Sequence, residues 1–293
     1  MSEEQMGLIV PEKLLTTLPL AIGIILLFLV GVGIDIWMFA RIPILRTTLA
    51  ARAPALHRTP WTWREGLILG LVAMLLNQIA FLVIRTVERL SGSTAASLPM
   101  ALLFQTAWVP LCILVLVRAM LRWHGTTWKA AFGLDACRPA QEIGRALQLL
   151  LAMLPPLALT AVLAQLVFTR LHIPFERQFV VDILIDPSQP TWLRAYLCVA
   201  AVSVAPVVEE ITFRGILLPA LARGGRWGLA TGVAALLFAT AHFNLASLLP
   251  LFVLALGLSL AYIASVSLCL PILIHALFNA FSIGVLLVAA RFL

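Results

Sequence analysis

Residues 195–222 read AYLCVAAVSVAPVVEEITFRGILLPALA, and this segment decides how the rest of the chain is interpreted. It is long and apolar enough to cross a bilayer, since a membrane-spanning helix needs about 20 mostly apolar residues. Two carboxylates and a guanidinium nevertheless stand near its middle, at Glu209, Glu210 and Arg214. Charged groups at that depth cost about 2.5–3.5 kcal/mol each on insertion scales, so they usually have a function.

The composition of the whole chain resembles that of this segment. Of its 293 residues, 62% are hydrophobic and 11% are charged, against about 25% charged in ordinary soluble domains. The mean hydropathy is +1.06, so the bilayer must solvate most of the chain. The formal net charge is +7. Because the arginines lie in short segments between apolar runs, they indicate topology signals and lipid headgroup contacts, and no nucleic acid partner is expected.

Seven further apolar runs predict an all-α polytopic fold with about eight transmembrane helices in a single membrane domain, residues 1–293. The predicted spans are 18–40, 66–84, 99–121, 146–169, 195–222, 227–244, 246–266 and 270–291. Arginine and lysine concentrate in alternate connections, at about 41–64, 122–145 and 223–226. The positive-inside rule then places both termini outside the cytoplasm, and the short basic loops fit a bacterial inner membrane.

Two of the connecting segments are long. The segment at about 123–145 carries Trp123, Trp128 and Phe132 among charges, which predicts an interfacial helix. The segment at about 170–194 contains three prolines and is expected to form an external cap. The four cysteines include no CxxC pair, so we expect neither a disulfide framework nor a thiolate metal site.

Two of the three charged residues in the fifth span can form a pair, which leaves Glu209 apart. Glu210 and Arg214 are four residues apart, so they share a helix face and can pair. Glu209 is rotated by about 100° from Glu210 and has no evident local partner. Such a carboxylate is a candidate general base. The alternative is that all three residues form one packing network, although a single pair would suffice for packing.

A histidine in the sixth span is expected to meet Glu209. Phe238 precedes His242 by four residues, and His242 lies about as far after Gly225 as Glu209 lies before it. Two antiparallel helices with the same rise therefore bring the carboxylate and the imidazole to nearly the same depth. Taken alone, His242 could equally be a core histidine.

The eighth span adds His275 and Asn279, which are four residues apart and share a face. Both side chains can donate hydrogen bonds to a developing negative charge. Taken alone, such a pair could also be an ordinary interhelical hydrogen-bonding pair.

Together these patterns resemble the CPBP family, named for CAAX proteases and bacteriocin-processing enzymes, which includes the Ras-converting CAAX endopeptidase. The family pattern is EExxxR, FxxxH and HxxxN on successive membrane helices. The matches, in the same order, are Glu209-Glu210 with Arg214, Phe238 with His242, and His275 with Asn279. The resemblance covers about residues 195–291, and the first three spans carry no such motif.

The resemblance implies an intramembrane endopeptidase with a water-containing catalytic cavity in the bundle, because hydrolysis consumes water. Glu209 would activate the water with help from His242, and His275 with Asn279 would form the oxyanion site. Structural support would come from the remaining motif residues, Glu210, Arg214 and Phe238. The implied partner is a membrane-associated or lipidated protein or peptide substrate.

A metal-dependent reaction is the alternative for the same residues. Glu209, His242 and His275 form a His₂Glu set, which is a common catalytic zinc site, and the family has been described both as metalloproteases and as glutamate-type proteases. No HExxH motif is present. A glutamate that binds zinc could not also be the free base, and Glu210 is better placed to pair with Arg214. We expect no cofactor, with zinc as the alternative.

Two other functions compete with proteolysis. A non-proteolytic scaffold or immunity protein of the same fold is one, although all the motif positions are filled. A proton-coupled transporter is the other, because intramembrane Glu and His can relay protons. The sequence shows no inverted repeat to favour it.

Overall fold

The computed structural model describes residues 12–91, 99, 102–174 and 178–290, which form helices and turns without any strand. The helices among these residues are α1 (Glu12–Phe39), α2 (Ile42–Arg52), α3 (Trp63–Ser91), α4 (Leu102–Trp123), α5 (Trp128–Phe132), α6 (Pro139–Arg170), α7 (Phe179–Ile185), α8 (Thr191–Gly224), α9 (Trp227–Thr240), α10 (Leu248–Ser265) and α11 (Cys269–Ala289). The predicted all-α class is confirmed.

Six of the described helices are long and apolar enough to cross a membrane. They are α4, α8, α10 and α11 over their whole length, α6 from Ala140 onward, and the Ala21–Phe39 part of α1. The other two predicted spans, 66–84 and 227–244, coincide with α3 and with the shorter apolar helix α9. The chain is thus a multi-pass membrane protein, and the count of eight spans stays a prediction. Residues 100–101 and 291 of two predicted spans lie outside the described residues.

The C-terminal helices form the closely packed part of the bundle. Helix α10 lies against α9, α6 and α11, and α1 lies against α6. Gly257 of α10 leaves the space that Met153 of α6 fills, and Gly31 allows α1 to approach the backbone of Leu151. Small residues at such crossings let membrane helices pack closely, which substitutes for the hydrophobic driving force that lipid removes.

Helix α8 changes its winding twice near the middle. A π-helical turn at Ala200–Val204 precedes a regular turn at Ala205–Glu210, and a second π-helical stretch follows at Ile211–Leu217. Such turns alter which backbone groups pair along the helix, and they occur frequently at functional sites. The Glu209-Glu210 pair stands between the two irregular stretches.

The connection between α4 and α6 packs into the bundle. Phe132 is 1% exposed, and its carbonyl accepts a hydrogen bond from the Leu268 amide at 3.0 Å. Gly133 has φ +65° and lies against the Val266 carbonyl, so a side chain would be both strained and excluded there. The segment 123–145, predicted to form an interfacial helix, contains the short helix α5, and Phe132 of that helix packs against the turn between α10 and α11; its position at the interface stays a prediction.

This connection is also linked covalently to the start of α11. Cys137 forms a disulfide with Cys269, whereas Cys112 and Cys198 are free. The expectation that none of the cysteines pair is therefore wrong. The hydrogen bond from the Leu268 amide to the Phe132 carbonyl lies beside the disulfide. Two neighbouring links therefore join the segment that follows α5 to the start of α11, the helix that carries His275.

Candidate active site

A cavity of about 590 Å³ lies between α4, α6, α8, α10 and α11, with α7 and the turn after α9 also on its wall. Most of its lining residues are apolar. Its polar lining residues are Thr106, Gln178, Glu209, His242, Asn244, Ser247, His275, Asn279 and Ser282. All four residues predicted to carry the chemistry therefore share one cavity.

The two neighbouring glutamates differ in exposure and in contacts, although the Oε2 atom of each is buried without a hydrogen-bond partner among the described residues. The Glu209 side chain is 29% exposed and lines the cavity, and its Oε2 atom has no hydrogen-bond partner among the described residues. The Glu210 side chain is 0% exposed and lies outside the cavity lining. Its Oε1 atom accepts hydrogen bonds from two different side chains. The helical rotation between successive residues separates the two roles.

Arg214 is the first of the two partners of Glu210. Its Nη1 atom donates to Glu210 Oε1 at 2.8 Å, so the predicted four-residue pair is present. The same guanidinium donates to the Ala255 carbonyl at 3.0 Å and approaches Ser259 Oγ at 3.4 Å. Its carbon atom lies 4.6 Å from the ring centre of Phe238. A fully buried cation needs this set of acceptors and an aromatic face to offset its lost hydration.

His275 is the second partner of Glu210 and joins the buried network to the cavity. Its Nδ1 atom is 2.9 Å from Glu210 Oε1, and its Nε2 atom is 3.8 Å from Glu209 Oε2. Since an ionised carboxylate only accepts hydrogen bonds, Nδ1 carries a proton and Nε2 is the atom nearest to Glu209. The contact at 3.8 Å is too long for a direct hydrogen bond, so Glu209 and His275 are neighbours with a gap between their polar atoms.

His242 lies beyond the end of its helix. Helix α9 ends at Thr240, so the predicted span 227–244 is too long, and His242 occupies the turn that follows. Its Nδ1 atom contacts the Phe238 carbonyl at 2.8 Å, which leaves Nε2 as the ring nitrogen available to the cavity. Phe238 packs against both histidines, with ring-centre distances of 4.8 Å to His242 and 5.8 Å to His275. The FxxxH spacing therefore places one aromatic ring between the two imidazoles.

Asn279 is held by the first π-helical turn of α8. Its Nδ2 atom donates to the Ala201 carbonyl at 2.8 Å, and its side chain lines the cavity one helical turn from His275. One of the two amide hydrogens is therefore committed to the backbone of α8. The other hydrogen remains for a group in the cavity.

Sequence reasoning missed a group of polar residues at one end of the cavity. Gln178, at the start of α7, donates from Nε2 to Ser247 Oγ at 3.2 Å. The Ser247 amide donates to Asn244 Oδ1 at 2.8 Å, so Asn244 shapes the turn before α10. Asn244 also lines the cavity. The segment that was expected to form an external cap therefore contributes residues to the cavity wall. The only indication in the sequence was that Asn244 lies close to His242 along the chain.

The predicted zinc ligands share the cavity but are not arranged as a metal site. Among the described residues, no group of three His, Cys, Asp or Glu side chains is placed to hold one metal ion. His275 directs Nδ1 to Glu210 and His242 directs Nδ1 to its own helix, which leaves Nε2 of each ring available to the cavity, as is common for a metal-binding histidine. The chemistry of the three side chains is therefore that of a His₂Glu zinc site, although the described residues do not bring them together around one point.

The fold and the cavity define a polytopic membrane protein with a carboxylate and imidazole site enclosed by its helices. The model of one family, described as type II CAAX prenyl endopeptidase Rce1-like, matches residues 190–281. All seven motif residues lie inside that segment. No curated protein and no solved structure gives a significant match. The family match confirms the resemblance seen in the motifs, so about the last third of the chain is similar to the CPBP family of CAAX-protease-like membrane proteins.

Proposed function

We propose that this protein is an intramembrane endopeptidase that hydrolyses a peptide bond with a water molecule activated by Glu209. The observation that carries this proposal is the environment of that carboxylate. Glu209 lines the cavity and its Oε2 atom lacks a hydrogen-bond partner among the described residues. His242, His275 and Asn279 line the same cavity. A base, a group that steers the water and donors for the oxyanion are the parts that acyl transfer to water requires.

The reaction follows from these positions. Glu209 accepts a proton from water while the water oxygen attacks the carbonyl carbon of the scissile bond. Nε2 of His242 orients the water. The carbonyl oxygen becomes an oxyanion that accepts hydrogen bonds from Asn279 Nδ2 and, when the ring carries two protons, from His275 Nε2. The C–N bond then breaks, and the proton held by Glu209 passes to the leaving amine.

The buried network behind the cavity supports this geometry. Glu210 holds the Nδ1 side of His275, and Arg214 fixes Glu210 in turn. Phe238 packs against Arg214, His242 and His275. A hydrogen bond on one ring nitrogen sets the orientation and proton position of the other, so Glu210 determines what His275 presents to the substrate.

The substrate that fits this site is a membrane-associated or lipidated protein or peptide. The cavity lies within helices that are long and apolar enough to cross a membrane, and its lining is mostly apolar. The matched family is described by a prenyl endopeptidase activity on CAAX proteins. We propose the bacterial inner membrane as the location, from the short basic connections.

A cleavage assay on purified protein in detergent tests this function. The substrates are an internally quenched apolar reporter peptide and a lipid-anchored CAAX peptide, and mass spectrometry identifies the products. We expect wild type to cut at least one of them and Glu209→Gln to cut neither. Thermal unfolding of both proteins provides the control for folding. If folded wild type cuts neither peptide, the non-proteolytic scaffold interpretation gains support.

A further inference from the structure

A proline two residues beyond the first π-helical turn of α8 has a role that the motifs do not assign. Pro206 is buried in the regular turn Ala205–Glu210 and does not line the cavity. A proline inside a helix removes one backbone donor and is ordinarily destabilising. Packing alone therefore does not account for Pro206. We attribute its presence to the backbone carbonyl groups that it leaves without a helical donor.

The pairing in this turn makes the Ala201 carbonyl available. The Ala205 amide donates to the Ala200 carbonyl, which is the five-residue spacing of a π-helix. With the same spacing, the Ala201 carbonyl would accept from the amide of residue 206. Proline has no amide hydrogen, so this helical bond cannot form. The Ala201 carbonyl instead accepts from Asn279 Nδ2 at 2.8 Å.

We propose that Pro206 is a positioning residue for Asn279, because it keeps the Ala201 carbonyl free to anchor the Asn279 amide. This inference rests on the proposed function, in which Asn279 is an oxyanion donor. A carbonyl only accepts hydrogen bonds, so the anchor fixes which end of the amide is nitrogen. It also occupies one amide hydrogen and directs the other. Without the anchor, the Asn279 side chain is free to rotate and the donor loses its fixed position.

Restoring the missing amide tests this directly. In Pro206→Ala, the new N–H can bond to the Ala201 carbonyl and compete with Asn279. We expect kcat to fall by about 10-fold or more, but by no more than the about 10²–10³-fold loss expected for Asn279→Ala, with KM changed by less than about twofold. The melting temperature should stay the same or rise, since a proline leaves a helix interior. A purely structural proline would give a lower melting temperature and normal kcat in the folded fraction.

A double-mutant cycle separates the contact from unrelated effects. The double variant Pro206→Ala, Asn279→Ala should be no slower than Asn279→Ala alone, because both changes disrupt the same hydrogen bond from Asn279 to the Ala201 carbonyl. Additive losses, or full activity of Pro206→Ala, would overturn the proposal. Pro156→Ala in α6, another proline inside a helix and away from the cavity lining, is the matched control and should keep wild-type kcat.

Thermal unfolding of wild type, Pro206→Ala, Asn279→Ala and the double variant gives a readout that does not need activity. Asn279→Ala leaves the Ala201 carbonyl unpaired and should lower the melting temperature by about 2–4 °C. The same change in the Pro206→Ala background should have a smaller effect, because residue 206 then supplies the donor. If wild type cuts neither peptide, the proposed function fails while this cycle still tests the contact. Pro206→Ser is the second variant, and failure of both to fold would overturn the proposal by showing that proline is needed for the helix itself.

Discussion

The cavity wall and the network directly behind it differ although they share motifs and helices. The wall has Glu209, His242 and Asn279, which are partly exposed to the cavity. The network has Glu210 and Arg214, which are 0% and 1% exposed and hydrogen-bonded to each other. Ionisable groups in a bilayer are thus tolerated in two ways, by pairing in the interior or by access to a polar cavity. Adjacent glutamates in one sequence motif therefore lie in two different environments.

The two histidines give the largest expected effects and distinguish the two regions. His275→Ala and His242→Ala should each abolish cleavage, a loss of at least about 10²–10⁴-fold. His275→Ala should also lower the free energy of unfolding by about 1–3 kcal/mol, because Glu210 loses a buried donor. His242 contacts only its own helix through Nδ1, so its replacement should leave stability nearly unchanged. Equal stability losses for both variants would refute the division between wall and network.

Changes in the buried pair should act mainly on stability. Arg214→Ala and Glu210→Ala each leave an uncompensated buried charge, which costs about 3–5 kcal/mol, so yield and melting temperature should fall. Arg214→Lys is the matched control that keeps the charge without the planar fork, and we expect it to recover only part of the stability. Wild-type melting curves for both alanine variants would show that the ion pair does not stabilise the bundle.

Asn279→Ala should have an intermediate effect on turnover. Loss of one oxyanion donor lowers kcat by about 10²–10³-fold. Substrate affinity should change little, since the donor acts on charge that develops in the transition state. Steady-state kinetics on the preferred peptide separates the two parameters. A rise in KM at constant kcat would instead assign Asn279 to substrate binding.

The smallest expected effect is at the end of the cavity covered by α7. Gln178→Ala removes the hydrogen bond to Ser247, which contributes about 0.5–1.5 kcal/mol. We expect KM to change by less than about tenfold, with kcat preserved because no reacting atom is touched. Ser247→Ala removes the same bond from the other side and should match it. A large loss of kcat in either variant would place this pair in the catalytic machinery.

The helical class and the shared position of the motif residues could be predicted because both depend on local periodicity. Twenty apolar residues predict a span, and spacing from a common turn predicts depth. The pairing of Glu210 with Arg214 is likewise a consequence of four-residue spacing.

Features that depend on contacts distant in the sequence could not be predicted. The contact from His275 to Glu210 requires knowing how α11 is rotated against α8. The disulfide joins Cys137 and Cys269 across 132 residues, and the charges of the connection that holds Cys137 indicate the cytoplasmic side, where disulfides are uncommon. The π-helical turns of α8 have no sequence signal apart from Pro206, and they determine which carbonyl Asn279 meets.

Metal content measured together with activity is the most direct test of Glu209 as a free base. Wild type is purified, treated with a chelator and assayed on the peptide that it cuts, while bound metal is quantified on the same sample. We expect full cleavage with far less than one metal ion per chain, and no cleavage by Glu209→Gln under the same conditions. Activity that disappears with one bound zinc and returns when zinc is restored would contradict the proposal, because Glu209 would then be a ligand and another group would have to activate the water.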